Sequence, residues 1–242
     1  MAMIAIYSPK GGVGKTSLAV NLAWAASQSG RRVLVWDLDA QGAASFILAP
    51  KRKGKGQARD VLEREMSPLD AVVATDFARL DLLPADESLR TLDILFDELG
   101  AKKRLLRIGE LLAKDYDHVI IDSPPGLGVT AEQVIRGAGL IVLPQIPSTL
   151  SRRTAEELTA HLGGKRKGAP PILPVYNLVD RRRLAHRQAL EAEPERPAVP
   201  MASLVEQMAD RHAPLGAFAP ASPAAKAIRD LWTTVERRLA KG

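Results

Sequence analysis

Residues 8 to 17 read Ser-Pro-Lys-Gly-Gly-Val-Gly-Lys-Thr-Ser, residue types and spacing suited to holding a chain of phosphates. Gly11, Gly12 and Gly14 let the backbone curl until several N–H groups point at one anion. The apolar run Met3 to Tyr7 precedes this loop, and Leu18, Ala19, Leu22, Ala23 and Ala26 follow it at helical spacing. A buried strand thus turns through glycine into a helix, whose N-terminal end adds positive charge at the same point. Lys15 is placed to pair with β and γ phosphates and the Thr16 hydroxyl to reach magnesium, with Val13 and Ser17 completing the expected binding surface.

Two further strands run into carboxylates. Val33 to Trp36 leads to Asp37 and Asp39, which share a face if the strand continues past Asp37. His118 to Ile121 leads to Asp122-Ser123-Pro124-Pro125, where the prolines cannot extend the ladder and the chain must turn away. Carboxylates at strand ends opposite a phosphate loop suit the water shell of magnesium or the orientation of an attacking water.

The elements that must position these groups are legible as apolar runs. Besides the three above they are Leu80 to Leu83, Leu140 to Leu143, Ile172 to Tyr176 and Leu215 to Phe218. Helical patterns lie between them at Leu89 to Leu99, Lys102 to Leu112, Ala131 to Arg136, Thr154 to Leu162 and Arg183 to Glu191, and a last one runs from Ala224 to Leu239. Continuous apolar strands alternating with helices imply an α/β fold: a mostly parallel twisted sheet with helices on both faces, in one domain spanning residues 1–242. Ligands of such sheets sit at the carboxyl ends of the strands, which brings the glycine loop, Asp39 and Asp122 to one edge. The Pro-rich stretch Glu193 to Pro200 reads as a surface loop.

Composition narrows the class. The 242 residues include no cysteine, which excludes disulfides, thiolate zinc sites and a cysteine-held iron–sulfur cluster. No run of 18 apolar residues and no leader pattern is present, so a cytoplasmic protein without stable membrane insertion is expected. A net charge of +6 suggests an anionic partner beyond the nucleotide.

The loop departs from the usual Walker A pattern, with Pro9 where the first glycine normally stands and an additional lysine, Lys10. In this form, Lys-Gly-Gly-Val-Gly-Lys-Thr, it resembles the deviant Walker A motif of the ParA/MinD family of ATPases, and Pro9 favours the ParA type. Asp37-Leu38-Asp39-Ala40-Gln41-Gly42 is similar to that family's switch I, with Ala40 in place of the usual proline, and Asp122-Ser123-Pro124-Pro125 to its switch II. The resemblance implies binding and slow hydrolysis of ATP with Mg2+. Lys10, Lys15 and Asp39 would be catalytic, and Thr16, Asp39 and Asp122 would hold the metal. Lys10 is expected to reach the nucleotide of a second subunit, making ATP part of a homodimer interface. Asn177, at the end of a later strand, and Met201 are expected beside the adenine.

The resemblance also implies nonspecific DNA as a partner, hence association with the nucleoid, and a cargo adaptor or other protein that stimulates hydrolysis. Basic clusters suited to phosphate backbones are Lys51, Arg52, Lys53, Lys55 and Arg59; Lys165, Arg166 and Lys167; and Arg181, Arg182, Arg183 and Arg187, with Arg152 as a further candidate. Because the first strand begins at Met3, no sequence-reading module is expected before the loop. Two alternatives share these motifs: a MinD-like membrane-positioned ATPase, for which Ala224 to Leu239 is the candidate amphipathic surface, and a metabolic ligase of the cobyrinic acid or dethiobiotin synthetase type.

Overall fold

The computed structural model describes residues 1–52, 54–100, 103–165 and 169–241, and gives the backbone alone for residues 150 and 161–165. The first half of the chain forms β1 (Ala2–Ile6), α1 (Lys15–Gln28), β2 (Val33–Asp37), α2 (Ala43–Leu48), α3 (Ala58–Glu63), α4 (Pro68–Ala71), β3 (Val73–Ala74), β4 (Leu80–Leu83), α5 (Leu92–Glu98) and α6 (Arg104–Leu112). The second half forms β5 (His118–Asp122), α7 (Val129–Gly137), β6 (Leu140–Gln145), α8 (Thr149–Lys165), β7 (Ile172–Val179), α9 (Leu184–Ala192), β8 (Ala198–Pro200), α10 (Gln207–Arg211), α11 (Leu215–Phe218) and α12 (Pro223–Leu239).

The eight strands make one sheet in the order β3-β4-β2-β5-β1-β6-β7-β8, parallel except for the short antiparallel pair β3–β4. β1 lies at its centre, paired with β5 on one side and β6 on the other. Ile4 and Ile6 enter a core shared with α1, α2 and α12, while Met3, Ala5 and Tyr7 enter a second core with α5, α6 and α7. Both faces are thus buried, which is why the strand sequences read as continuous apolar runs.

Two expectations are corrected. Leu215 to Phe218 is a helix, not a strand: Pro214 stands at its N-cap, and the buried Asn21 of α1 accepts the Leu215 N–H at 2.8 Å. A four-residue apolar run carries no period that could tell the two apart. The Pro-rich stretch is not only a loop, because its last residues form β8 at the sheet edge. Pro197 contributes its carbonyl to Tyr176 N, and Pro200 ends the strand, a use of proline that an edge permits.

The apolar face of α12 is occupied. Ile228, Leu231, Trp232 and Val235 are buried against the first core, and the Trp232 indole donates to Ser29 Oγ at 3.1 Å. Ser222 caps the helix and Pro223 opens it, while Arg237 and Arg238 sit in the last turn where they complement the helix dipole. The stripe that could have met a membrane therefore belongs to the core, and no helix among the described residues is long and apolar enough to cross one.

Candidate functional site

The glycine loop leaves the carboxyl end of β1 and returns as α1. Gly12 and Gly14 have φ of 72° and 81°, the left-handed region that glycine occupies without strain. A Cβ on Gly14 would also stand 2.4 Å from the Asn177 amide nitrogen, so that position excludes a side chain twice over. The Lys15 side chain curls back over the loop: it is 8% exposed, and its ammonium donates to the Lys10 carbonyl at 3.1 Å. Burial lowers the Lys15 pKa, and Asp122 and Asp39 oppose that shift. The Lys10 ammonium, by contrast, has no hydrogen bond or ion pair among the described residues, although its main chain is held by Ser8 Oγ and Lys15.

The two aspartates of the second strand part company. β2 stops at Asp37, whose fully buried carboxylate accepts from Ser45 N at 2.9 Å, Ser45 Oγ at 2.7 Å and Asp39 N at 3.2 Å. Asp37 therefore pins α2 to the strand end, a structural role. Asp39 lies beyond the strand, partly exposed, with one oxygen accepting the Gln41 N–H at 3.0 Å. The two do not share a strand face, because β2 ends two residues before Asp39.

Asp122 is fully buried at the end of β5, with the Thr16 hydroxyl as a nearby donor but no hydrogen bond of good geometry to either oxygen among the described residues. Buried carboxylate oxygens without donors are costly unless a cation meets them. Asp122, the neighbouring Thr16 hydroxyl and Asp39 form an all-oxygen set, the donor chemistry that magnesium prefers, so these residues fit that ion. Burial first, and then the nearby Asp37, pushes the Asp122 carboxyl from 3.8 up to about 8, with Thr16 and Lys15 acting the other way. Burial also raises Asp37, to about 6.

A pH dependence follows. Both carboxyls titrate higher in the folded than in the unfolded chain, so between about pH 4 and pH 8 the folded protein binds more protons and its stability falls as pH rises. Asp122→Asn removes the larger share. It is expected to raise the Tm of the nucleotide-free, magnesium-free protein at pH 8.5, by about 2–4 °C per kcal/mol relieved, and to change it little at pH 4. Thermal unfolding by circular dichroism at the two pH values checks this; equal effects at both would contradict it.

Behind the loop, the Asn177 amide donates to the Val13 carbonyl at 2.8 Å from a position 3% exposed, so it braces the phosphate loop. Met201 is exposed at the end of β8, its N–H on the Val179 carbonyl at 2.9 Å. Tyr7 was not singled out as a site residue in the sequence, yet its buried hydroxyl donates to the Gly126 carbonyl at 2.9 Å while Gly126 N–H meets the Pro9 carbonyl at 3.2 Å. The turn after Asp122 is thereby tied to the glycine loop. A cavity of about 310 Å³ opens between this turn and Asp39, lined also by Arg90, Asp93 and Thr130.

The basic candidates divide. Lys53, Arg166, Lys167 and the Lys165 side chain lie outside the described residues. Arg52 pairs with Asp76 and Arg59 with Glu63, so part of the first cluster is spent on local ion pairs. Arg181, Arg182 and Arg183 lie exposed on the turn from β7 to α9, at the carboxyl edge of the sheet. Arg182 grips Asp180 through two bonds of 2.9 and 3.0 Å, and the Arg181 guanidinium has no partner among the described residues. Arg152 on α8 borders a cleft with Ala185, Gln188 and Ala189 of α9, which places it beside the arginine turn.

A family profile described as an AAA domain matches residues 1–167. Over 144 residues the chain is 35% identical to the sporulation initiation inhibitor protein Soj of Bacillus subtilis, a match covering 59% of this chain and 57% of that protein. Over 154 residues it is 37% identical to the chromosome partitioning protein ParA of Caulobacter vibrioides, covering 60% and 55%. The chain belongs to the ParA/MinD family of P-loop ATPases. It spans somewhat over half the length of these curated relatives. Among solved structures it superposes on the cell division ATPase MinD of Pyrococcus furiosus with a TM-score of 0.81 at 25% identity, covering 98% of both chains. Cobyrinic acid a,c-diamide synthase of Mycobacterium smegmatis gives 0.81 at 27% identity, covering 98% of this chain and 94% of that one. McdA of Cyanothece gives 0.82 at 21% identity, covering 99% and 96%, a likeness of fold. The same fold therefore carries both a cell division ATPase and a synthase.

Proposed function

We propose that this chain is a magnesium-dependent ATPase that dimerises around ATP, binds nonspecific DNA as that dimer, and positions a cargo until a partner protein stimulates hydrolysis. The observation that carries the reading is Lys10: an ammonium at the phosphate loop, without an intramolecular partner, where the ordinary phosphate lysine is already supplied by Lys15. The synthase neighbour was solved with an ATP analogue and magnesium, and separately with ADP and magnesium, which supports the same ligands here.

In this reading the glycine loop and Lys15 hold the β and γ phosphates, Thr16 and Asp122 hold magnesium, and Asp39 orients the attacking water. Magnesium supplies charge neutralisation at the transferred phosphoryl group. Asn177 and Met201 border the adenine, with Asn177 also fixing the loop. Loss of the γ phosphate removes what Lys10 of the second copy holds, so hydrolysis opens the dimer. The protein then acts in the cytoplasm at the nucleoid.

DNA binding is expected from Arg152, Arg181, Arg183 and Arg187. Four phosphate contacts would weaken binding by about 150-fold between 50 and 200 mM salt, irrespective of sequence. A gel shift with unrelated duplexes, with and without ATP, checks this; Arg181→Ala should lower the salt slope by about one contact. Binding to liposomes in flotation, with no shift on DNA, would instead favour the membrane-positioned alternative. The synthase neighbour and the 310 Å³ cavity beside Asp39 favour a second reading, an ATP-dependent ligase whose other substrate occupies that cavity. A ligase would turn over ATP only with a carboxylic acid substrate and would keep its activity in Lys10→Ala.

A further inference from the structure

We propose that Gln145 is a positioning residue of the phosphate loop, its side-chain amide taking the Lys10 carbonyl when Lys15 leaves that carbonyl for a phosphate. The inference rests on the nucleotide-binding reading of the loop. Gln145 ends β6 and is 3% exposed. Its oxygen accepts from Arg196 Nη1 at 3.0 Å, and Arg196 is itself fixed, its guanidinium 4.5 Å from the Tyr176 ring centre and paired with Glu193. With the oxygen so committed the amide orientation is set, and Nε2 is buried with no acceptor among the described residues.

A buried donor without an acceptor is unusual in a folded protein, and costs more than a made hydrogen bond gains. Gln145 shares a narrow cleft with Ser8, Pro9, Lys10, Val13 and Ser151. Its free volume of about 10 Å³ is at the lower limit for one water, which favours an acceptor from the wall of the cleft itself. Three carbonyls of that wall are already engaged: Pro9 meets the Gly126 N–H of the turn after Asp122, Lys10 meets the ammonium of Lys15, and Val13 meets the buried Asn177 amide. Only the second partner is mobile in the proposed cycle, because Lys15 must turn to the phosphates when they arrive. The vacated Lys10 carbonyl then needs a donor, and Gln145 holds one across the same cleft. The exchange would fix the backbone of Lys10 in the loaded loop and so aim its ammonium outward, toward the second copy. Arg196, in the stretch that first read as a plain loop, becomes the anchor of this arm.

The test is the side-chain NH2 signal of Gln145 in 15N NMR spectra, identified by its loss in Gln145→Glu. In the wild type the signal is expected to move downfield on adding Mg·ADP, and in nucleotide-free Lys15→Ala it should already lie near that position, because the carbonyl is free. An unmoved signal in Lys15→Ala overturns the exchange, whatever the nucleotide does. Calorimetry separates the underlying reading: wild type that fails to bind Mg·ADP refutes nucleotide binding itself, while the Lys15→Ala arm still judges the exchange. Gln145→Met and Gln145→Glu should both weaken Mg·ADP by about 2- to 10-fold. The nucleotide-free Tm of Gln145→Glu should not fall, since its remaining oxygens still meet Arg196. Weakening in Gln145→Glu alone would be charge repulsion, and would overturn the proposal.

Discussion

Lys15→Ala is expected to weaken binding of Mg·ATP by about 10- to 150-fold, the range for losing one buried, charge-assisted hydrogen bond of about 1.5–3 kcal/mol. The structure explains why the loss should be this large. Lys15 is nearly buried, and burial lowers its pKa, so its charge is sustained by Asp122 and Asp39 on one side and the Lys10 carbonyl on the other. Without it, Asp122 and Asp39 stand beside the incoming phosphates with no Lys15 ammonium to offset them. Calorimetric titration of wild type and variant with Mg·ATP measures the ratio directly. Unchanged affinity would mean that the glycine loop and magnesium suffice, and that the curled position of Lys15 over the loop is unconnected with phosphate binding.

How much of this was legible in the sequence depended on whether the deciding interaction was local. The strands of the parallel sheet were readable because both faces are buried, and Leu80 to Leu83 coincides with β4. The phosphate loop was readable for a similar reason: glycines, lysine and threonine must be adjacent to do their work. Asp39 is set apart from Asp37 in the sequence only by the resemblance to switch I, since the physical difference lies in a strand ending at Asp37 and in Ser45, eight residues on, claiming its carboxylate. The short helix at Leu215 depends on Asn21, 194 positions away. Gln145 left no trace at all, because a glutamine at a strand end is ordinary until Arg196, 51 residues later, occupies its oxygen. Asn177 is expected beside adenine from its place after an apolar run, and the structure adds its bond to Val13, which no local pattern announces.

The comparisons sharpen the same division. The fold is shared between MinD and a biosynthetic synthase at equal TM-scores, so architecture alone does not choose the function. The sequence relatives with higher identity, Soj and ParA, are matched over somewhat more than half their length. In the proposed switch, what would tell a positioning ATPase from a plain nucleotide enzyme is a single side chain that has no intramolecular partner among the described residues.

That side chain is Lys10, and the decisive measurement is the mass of Lys10→Ala in solution with a non-hydrolysable ATP analogue and magnesium, by light scattering after gel filtration. The wild type should shift from monomer to dimer, and Lys10→Ala should bind the analogue within about threefold of wild type yet remain monomeric, because a contact made across the interface and not within the subunit has been removed. A Lys10→Ala protein that dimerises as the wild type does would contradict the cross-subunit role and, with it, the proposed switch.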